Sequence, residues 1–154
     1  MSNKLPPCGL FRTTVAIGPI QAGRLIYFHN HGSPGPGVYP PERWQNNRAQ
    51  FAKNGVTLEF PEQAETLEAL APQGLYRVRL DFHCCIRKCH LYQEGELVQL
   101  GYNTKAEPIL FVPHWAESGL VFPETGTVID PKNISRLERA RVPSPDKSAT
   151  ESLH

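Results

Sequence analysis

Both tryptophans of the chain head the same short pattern. Trp44, Phe51 and Gly55 are spaced W-x6-F-x3-G, and Trp115, Phe122 and Gly126 repeat that spacing. Alternating apolar residues recur in any β protein, but they do not put a rare residue at matched distances. Four further matches run collinear with this one. "GLFRTTVAI" (9–17) aligns with "GLYRVRLDF" (74–82), and "QAGRLIYF" (21–28) with "QEGELVQL" (93–100). "GVYPP" (37–41) falls against "ILFVP" (109–113), and "GVTLEFPEQAETLE" (55–68) against "GTVIDPKNISRLE" (126–138), with one residue dropped. The pattern predicts one unit written twice. The expected organisation is an N-terminal arm (1–8), a first module (9–73), a second module (74–142) and a tail (143–154). The tail, short of apolar residues, is expected to be disordered.

Within a module the apolar period is two. Phe11, Thr13, Val15 and Ile17 fall on one face of a strand, as do Tyr76, Val78, Leu80 and Phe82. Arg77, Arg79 and Asp81 take the opposite face, the arrangement of an antiparallel sheet with one wet side. In the next strand Ile26 and Phe28, or Val98 and Leu100, share a side. "PERWQNNRAQFAKNG" is expected to form a short helix closed by Gly55, whereas its counterpart, interrupted by Gly119 and Pro123, is not. Features common to both modules, Trp44, Trp115, Phe51 and Phe122 among them, are expected to be core.

The order in the second module is a strand, a long loop, "YQEGELVQL", a strand ending "FVPHW", then "GTVIDPKNISRLE". This order resembles that of SH3-like small barrels. The resemblance implies a mainly β fold of two tandem SH3-like barrels related by internal duplication, with short helical turns. The chain lacks the acidic long loop, tandem tryptophan and paired-aromatic groove of eukaryotic SH3 domains, so binding of proline-rich peptides is not implied. Each module has only about 65 residues, near the lower limit for independent stability. The two are therefore expected to pack together across the short join "APQ" (71–73).

Composition excludes several classes. Sixteen basic against fifteen acidic residues leave a net charge of +1, which selects neither nucleic acid nor an anionic membrane. No apolar run approaches the roughly 20 residues of a membrane span. "MSNKLPPCGLFR" has Pro-Pro where a secretory apolar segment would stand, so no signal peptide is read and the cytoplasm is the expected compartment. The four cysteines are then expected as free thiols or metal ligands.

Function is expected where the two modules differ. The first passes from Ile17 to Gln21 through three residues, the second from Phe82 to Gln93 through ten, "HCCIRKCHLY". Strand parity puts Cys84 on the core face, and His83 and Cys85 opposite it. His83, Cys85, Cys89 and His90 make a candidate metal set, because thiolate and neutral imidazole are the ligands zinc prefers. Packed thiols, a Cys85–Cys89 disulfide and a nucleophilic cysteine are the alternatives. The second difference is "FHNHGSPGPGVYPP", in which His29 and His31 lie two apart and so on one face, as a second candidate pair. The second module has Gly101 and Asn103 there, so the fold does not demand imidazoles. "GRLIYFHNH" is similar to the first half of a cupin metal motif, but Gly35 or Pro36 stands where that motif has its carboxylate.

The combined reading is a non-enzymatic binding or adaptor protein that engages a protein partner through the differing loops, with Tyr39, Trp44, Arg77 and Arg79 as contact residues. Two alternatives stand beside it. One is nucleic-acid binding through the basic side of the second module. The other is a metal-dependent protein using zinc or iron at the cysteine loop or the histidine pair. No catalytic residues are assigned.

Overall fold

The structure, a computed structural model, describes residues 5–143. All of the tail expected to be disordered except Pro143 lies outside the described residues. Alternating apolar residues and closely spaced glycines and prolines produce a mainly β protein with several antiparallel sheets. The first half runs β1 (Gly9–Arg12), β2 (Leu25–His29), β3 (Gly37–Tyr39), β4 (Pro41–Gln45), β5 (Arg48–Phe51) and β6 (Val56–Thr57). A 3-10 helix (Pro61–Thr66) and β7 (Glu68–Ala69) complete it. The second half runs β8 (Gly74–Val78), β9 (Phe82–His83), β10 (Leu91–Tyr92), β11 (Leu97–Tyr102), β12 (Pro108–Phe111), β13 (His114–Ala116), β14 (Gly119–Val121) and β15 (Thr127–Val128). It ends with a 3-10 helix (Pro131–Arg136) and β16 (Leu137–Arg139).

Two five-stranded sheets result, ordered β6-β3-β2-β1-β7 and β15-β12-β11-β8-β16. Their registers correspond pair by pair. Gly9 lies opposite Phe28 and Phe11 opposite Ile26, while Gly74 lies opposite Leu100 and Tyr76 opposite Val98. Each sheet carries an exposed cross-strand ion pair in the same place, Arg12–Glu68 at 3.1 Å and Arg77–Glu138 at 2.7 Å. Such exposed pairs contribute little to stability. Gly55 and Gly126 answer the same steric demand. A Cβ on the first would stand 2.5 Å from the Val38 carbonyl oxygen, and one on the second 2.6 Å from that of Leu110.

The helix expected over the segment after Pro41 is not formed. Residues 41–51 are instead the hairpin β4–β5, whose two-residue loop is Asn46–Asn47 with φ of 53° and 64°. Successive left-handed residues give a turn twisted to suit a hairpin, and asparagine tolerates that conformation better than other side chains with a Cβ. The matching hairpin of the second half is β13–β14, closed by Glu117–Ser118. Parity also ends sooner than expected: β1 stops at Arg12 and β8 at Val78, and Val15 and Leu80 are exposed.

One apolar cluster gathers Phe11, Ile17, Ile26, Phe28 and Val38 inside the first half. The other combines Tyr76, Val78, Val98, Leu100 and Leu110 with Leu10, Leu25 and Ala49 of the first half, so it spans the junction. The join is held by directed bonds as well. The buried Gln73 side chain accepts from the Ala49 amide at 2.7 Å and donates to the Ala49 carbonyl at 3.2 Å. The Tyr102 and Tyr76 hydroxyls donate to the Ala71 and Pro72 carbonyls. Among the described residues no helix is long and apolar enough to cross a membrane.

Candidate functional site

The two hairpins meet different fates. The tip of β4–β5 is laid onto β11 of the other half. The Trp44 indole N–H donates to the Tyr102 carbonyl at 2.8 Å, and Asn47 Nδ2 donates to Gln99 Oε1 and to the Pro123 carbonyl, both at 2.9 Å. Gln99 Nε2 returns a bond to the Asn46 carbonyl at 2.9 Å. Gly101 makes this approach possible, because a Cβ there would stand 2.6 Å from the Asn47 carbonyl oxygen. Among the described residues the tip of β13–β14 has no such seat. Trp115 is 82% exposed and lies across the strands from Leu120, itself 40% exposed. The expectation that both tryptophans are core therefore fails: Trp115 is bare, and Trp44 is bonded at the junction yet still 38% exposed. The repeat signal marks a shared place in the hairpin, and burial of that place depends on what faces it.

The cysteine loop is anchored at both ends. The Cys84 amide donates to the His90 carbonyl and its carbonyl accepts from the Asp130 amide, each at 2.9 Å. Cys84 is buried, as parity predicts, but β9 ends at His83 and the chain then turns, with Lys88 in a left-handed conformation. The turn undoes the expected opposition of Cys84 and Cys85, whose sulfurs lie 3.5 Å apart. Cys84, Cys85 and Cys89 form a group whose donor atoms all lie within 4.8 Å, close enough that it could hold a metal ion. Neither His83 nor His90 belongs to it. The His90 ring packs on Tyr92 at 4.3 Å, and the His83 carbonyl accepts from Asn133. The hydrogen bond with Cys84, and then the amides of Arg87 and Cys89, hold the Cys85 thiol below its ordinary pKa. The neighbouring Cys85 charge in turn raises that of Cys89. None of the four cysteines is disulfide-bonded.

The histidine pair acquires a partner from the arm. Cys8, His29 and His31 form a second group with all donor atoms within 4.8 Å. Cys8 had no signal pointing to the pair, since the contact depends on β1 lying beside β2. Tyr39, named as a contact residue, packs edge-on against His29 at 5.1 Å. Of the other residues so named, Trp44 is engaged at the junction, Arg77 pairs with Glu138, and Arg79 donates to the Ser135 carbonyl at 2.7 Å. A cleft of about 500 Å³ opens beside the junction, with Cys8, Tyr27, Arg48, Gln73 and Arg139 in its wall.

Comparison with protein-family models, curated proteins and solved structures finds no match.

Proposed function

We propose that this chain is a non-enzymatic binding protein made of two SH3-like small-barrel modules derived from one duplicated unit. The first module's hairpin is occupied in docking onto the second, and the second module's hairpin is free to engage a protein partner. The observation that carries this reading is the contrast between Trp44, bonded to the Tyr102 carbonyl, and Trp115, 82% exposed at the corresponding place. A large exposed indole flanked by Leu120 is the residue type that dominates binding energy when a partner desolvates it. The docked copy supplies a template for the complementary surface. It would offer a carbonyl for the indole N–H and a residue without a side chain where the hairpin tip comes close. The matched registers and ion pairs of the two sheets support common descent. Nucleic-acid binding through Arg77 and Arg79 has less support, because both guanidinium groups have acceptors within the chain.

The test begins with quantitative capture on wild-type and Trp115→Ser chains, followed by titration of each purified partner. The reading expects saturable one-to-one binding that Trp115→Ser weakens by at least about tenfold, with the melting temperature unchanged. A partner bound equally well by the folded Trp115→Ser chain would remove the hairpin from the function.

A further inference from the structure

We infer that Cys8, His29 and His31 form a zinc site with three protein ligands and a fourth position open to an exogenous donor. The inference is independent of how the second hairpin is used.

The three donors come from two segments that only the fold brings together. Cys8 immediately precedes β1, and His29 ends β2, with His31 just beyond it. Their ligand atoms lie within 4.8 Å of one another. Around a tetrahedral zinc ion, with bonds of about 2.0 Å to nitrogen and 2.3 Å to sulfur, the donors would stand about 3.3–3.6 Å apart. The gap to close is at most about 1.5 Å, and His31, which is exposed, is the donor with most room to move.

The surroundings fit a ligand set. The Asn30 amide donates to the Cys8 sulfur at 3.3 Å, and the Cys8 thiol donates to Asn30 Oδ1 at 3.3 Å. Asn30 is itself fixed, its Nδ2 donating to the Pro6 carbonyl at 3.2 Å, so the arm carrying Cys8 is already tethered to the end of β2. The His29 ring lies between Tyr27 at 4.8 Å and Tyr39 at 5.1 Å, with the His31 ring 5.8 Å away. These contacts limit the ring's freedom before any ion arrives, which lowers the cost of binding. Core packing does not account for the set, because His29 and Cys8 are only partly buried and His31 is exposed.

The second half supplies the control. Gly101 and Asn103 occupy the places of His29 and His31, and the first hairpin covers Gly101. The face that receives a hairpin in one half is left open in the other and carries imidazoles instead. Three neutral-imidazole and thiolate donors with an open fourth position suit Zn²⁺, and an exposed fourth position admits water, a carboxylate or a partner's imidazole.

The experiment uses the full chain carrying Cys85→Ser and Cys89→Ser, which removes the other thiol group while retaining the buried Cys84. After chelator treatment it is titrated with Co²⁺, then with Zn²⁺, and the stoichiometry is read by native mass spectrometry. The expected result is one ion per chain, tetrahedral cobalt bands, and a thiolate-to-cobalt charge-transfer band that Zn²⁺ abolishes. Cys8→Ser should remove that band. His31→Gln, an exposed change that leaves folding intact, should weaken Zn²⁺ binding by at least about tenfold, and His90→Gln should change nothing. Failure of the folded double variant to bind either ion overturns the site. So does a charge-transfer band that survives Cys8→Ser, or affinity unchanged by His31→Gln.

Discussion

Hairpins β4–β5 and β13–β14 occupy corresponding places in their halves and carry a tryptophan at the same position, yet one is bound and the other bare. Part of the difference lies in the tips: Asn47 bonds to Gln99 and Pro123, and Ser118 stands at its counterpart. The rest lies on the strand each would face. β11 offers Gly101, where the hairpin backbone comes too close for any Cβ, whereas β2 offers His29. Glycine here thus permits the close approach that the bonds of Asn47 and Gln99 complete. A second hairpin laid on β2 would meet an imidazole where the first meets glycine.

The sharpest way to break this comparison is to give the seat a side chain. Gly101→Ala puts a methyl into the Asn47 carbonyl and should destabilise the protein by about 1–3 kcal/mol, the usual cost of overpacking. The matched His29→Ala should cost under about 1 kcal/mol, since it removes only a partly exposed ring. Denaturant melts in a Trp115→Phe background, where Trp44 is the sole indole reporter, would show the two side by side. Equal losses would end the argument that Gly101 decides docking.

Exchanging the tryptophans tests the same point more gently. Trp44→Phe loses the indole bond to the Tyr102 carbonyl and should cost about 1 kcal/mol. Trp115→Phe should fall within about 0.5 kcal/mol of wild type, as exposed positions do. A comparable penalty at both would mean that Trp115 is packed in solution.

Alkaline titration probes the junction that docking creates. Burial raises the pKa of Tyr102 and, less strongly, of Tyr76. A phenol whose folded pKa is raised gives stability that is complete below its unfolded value of about 10 and is lost as pH climbs through the folded value. Both hydroxyls donate to carbonyls of the join, and a phenolate has no proton to donate. The melting temperature should therefore fall above pH of about 10, and Tyr102→Phe should flatten the fall. An alkaline profile identical in the variant would remove Tyr102 as its source.

The smallest effect concerns the loop that only the second half possesses. At neutral pH iodoacetamide should label Cys85 before Cys89, because the first thiol is held low and the second is raised. Cys84→Ser removes the foremost cause and should slow Cys85 labelling, read by peptide mass mapping. Cys89 reacting first would reverse the assignment.

The mainly β architecture was legible because period-two apolar patterns and turn formers are local. The strands around Phe11, Ile26, Tyr76 and Val98 could be placed from them. The β4–β5 hairpin was misread for a local reason too: "WQNNRA" also suits a helix, and the signal in Asn46–Asn47 is a turn preference weaker than that of Asn-Gly. The candidate sites were legible only in part. The segments holding Cys85, Cys89, His29 and His31 stood out by composition, but which donors converge did not. Cys8 joins the histidines through strand pairing, Cys84 joins Cys85 through a turn that breaks parity, the His90 ring packs on Tyr92, and His83 lies outside the thiol group.

Residue order by itself determined that this chain forms short antiparallel strands, and that two distant tryptophans sit at matched distances from phenylalanine and glycine. Only the tertiary structure decided which tryptophan is bonded to the other half and which thiols and imidazoles meet. Strand formation depends on neighbours along the chain, whereas covering a side chain or gathering ligands depends on surfaces brought together from far apart in sequence.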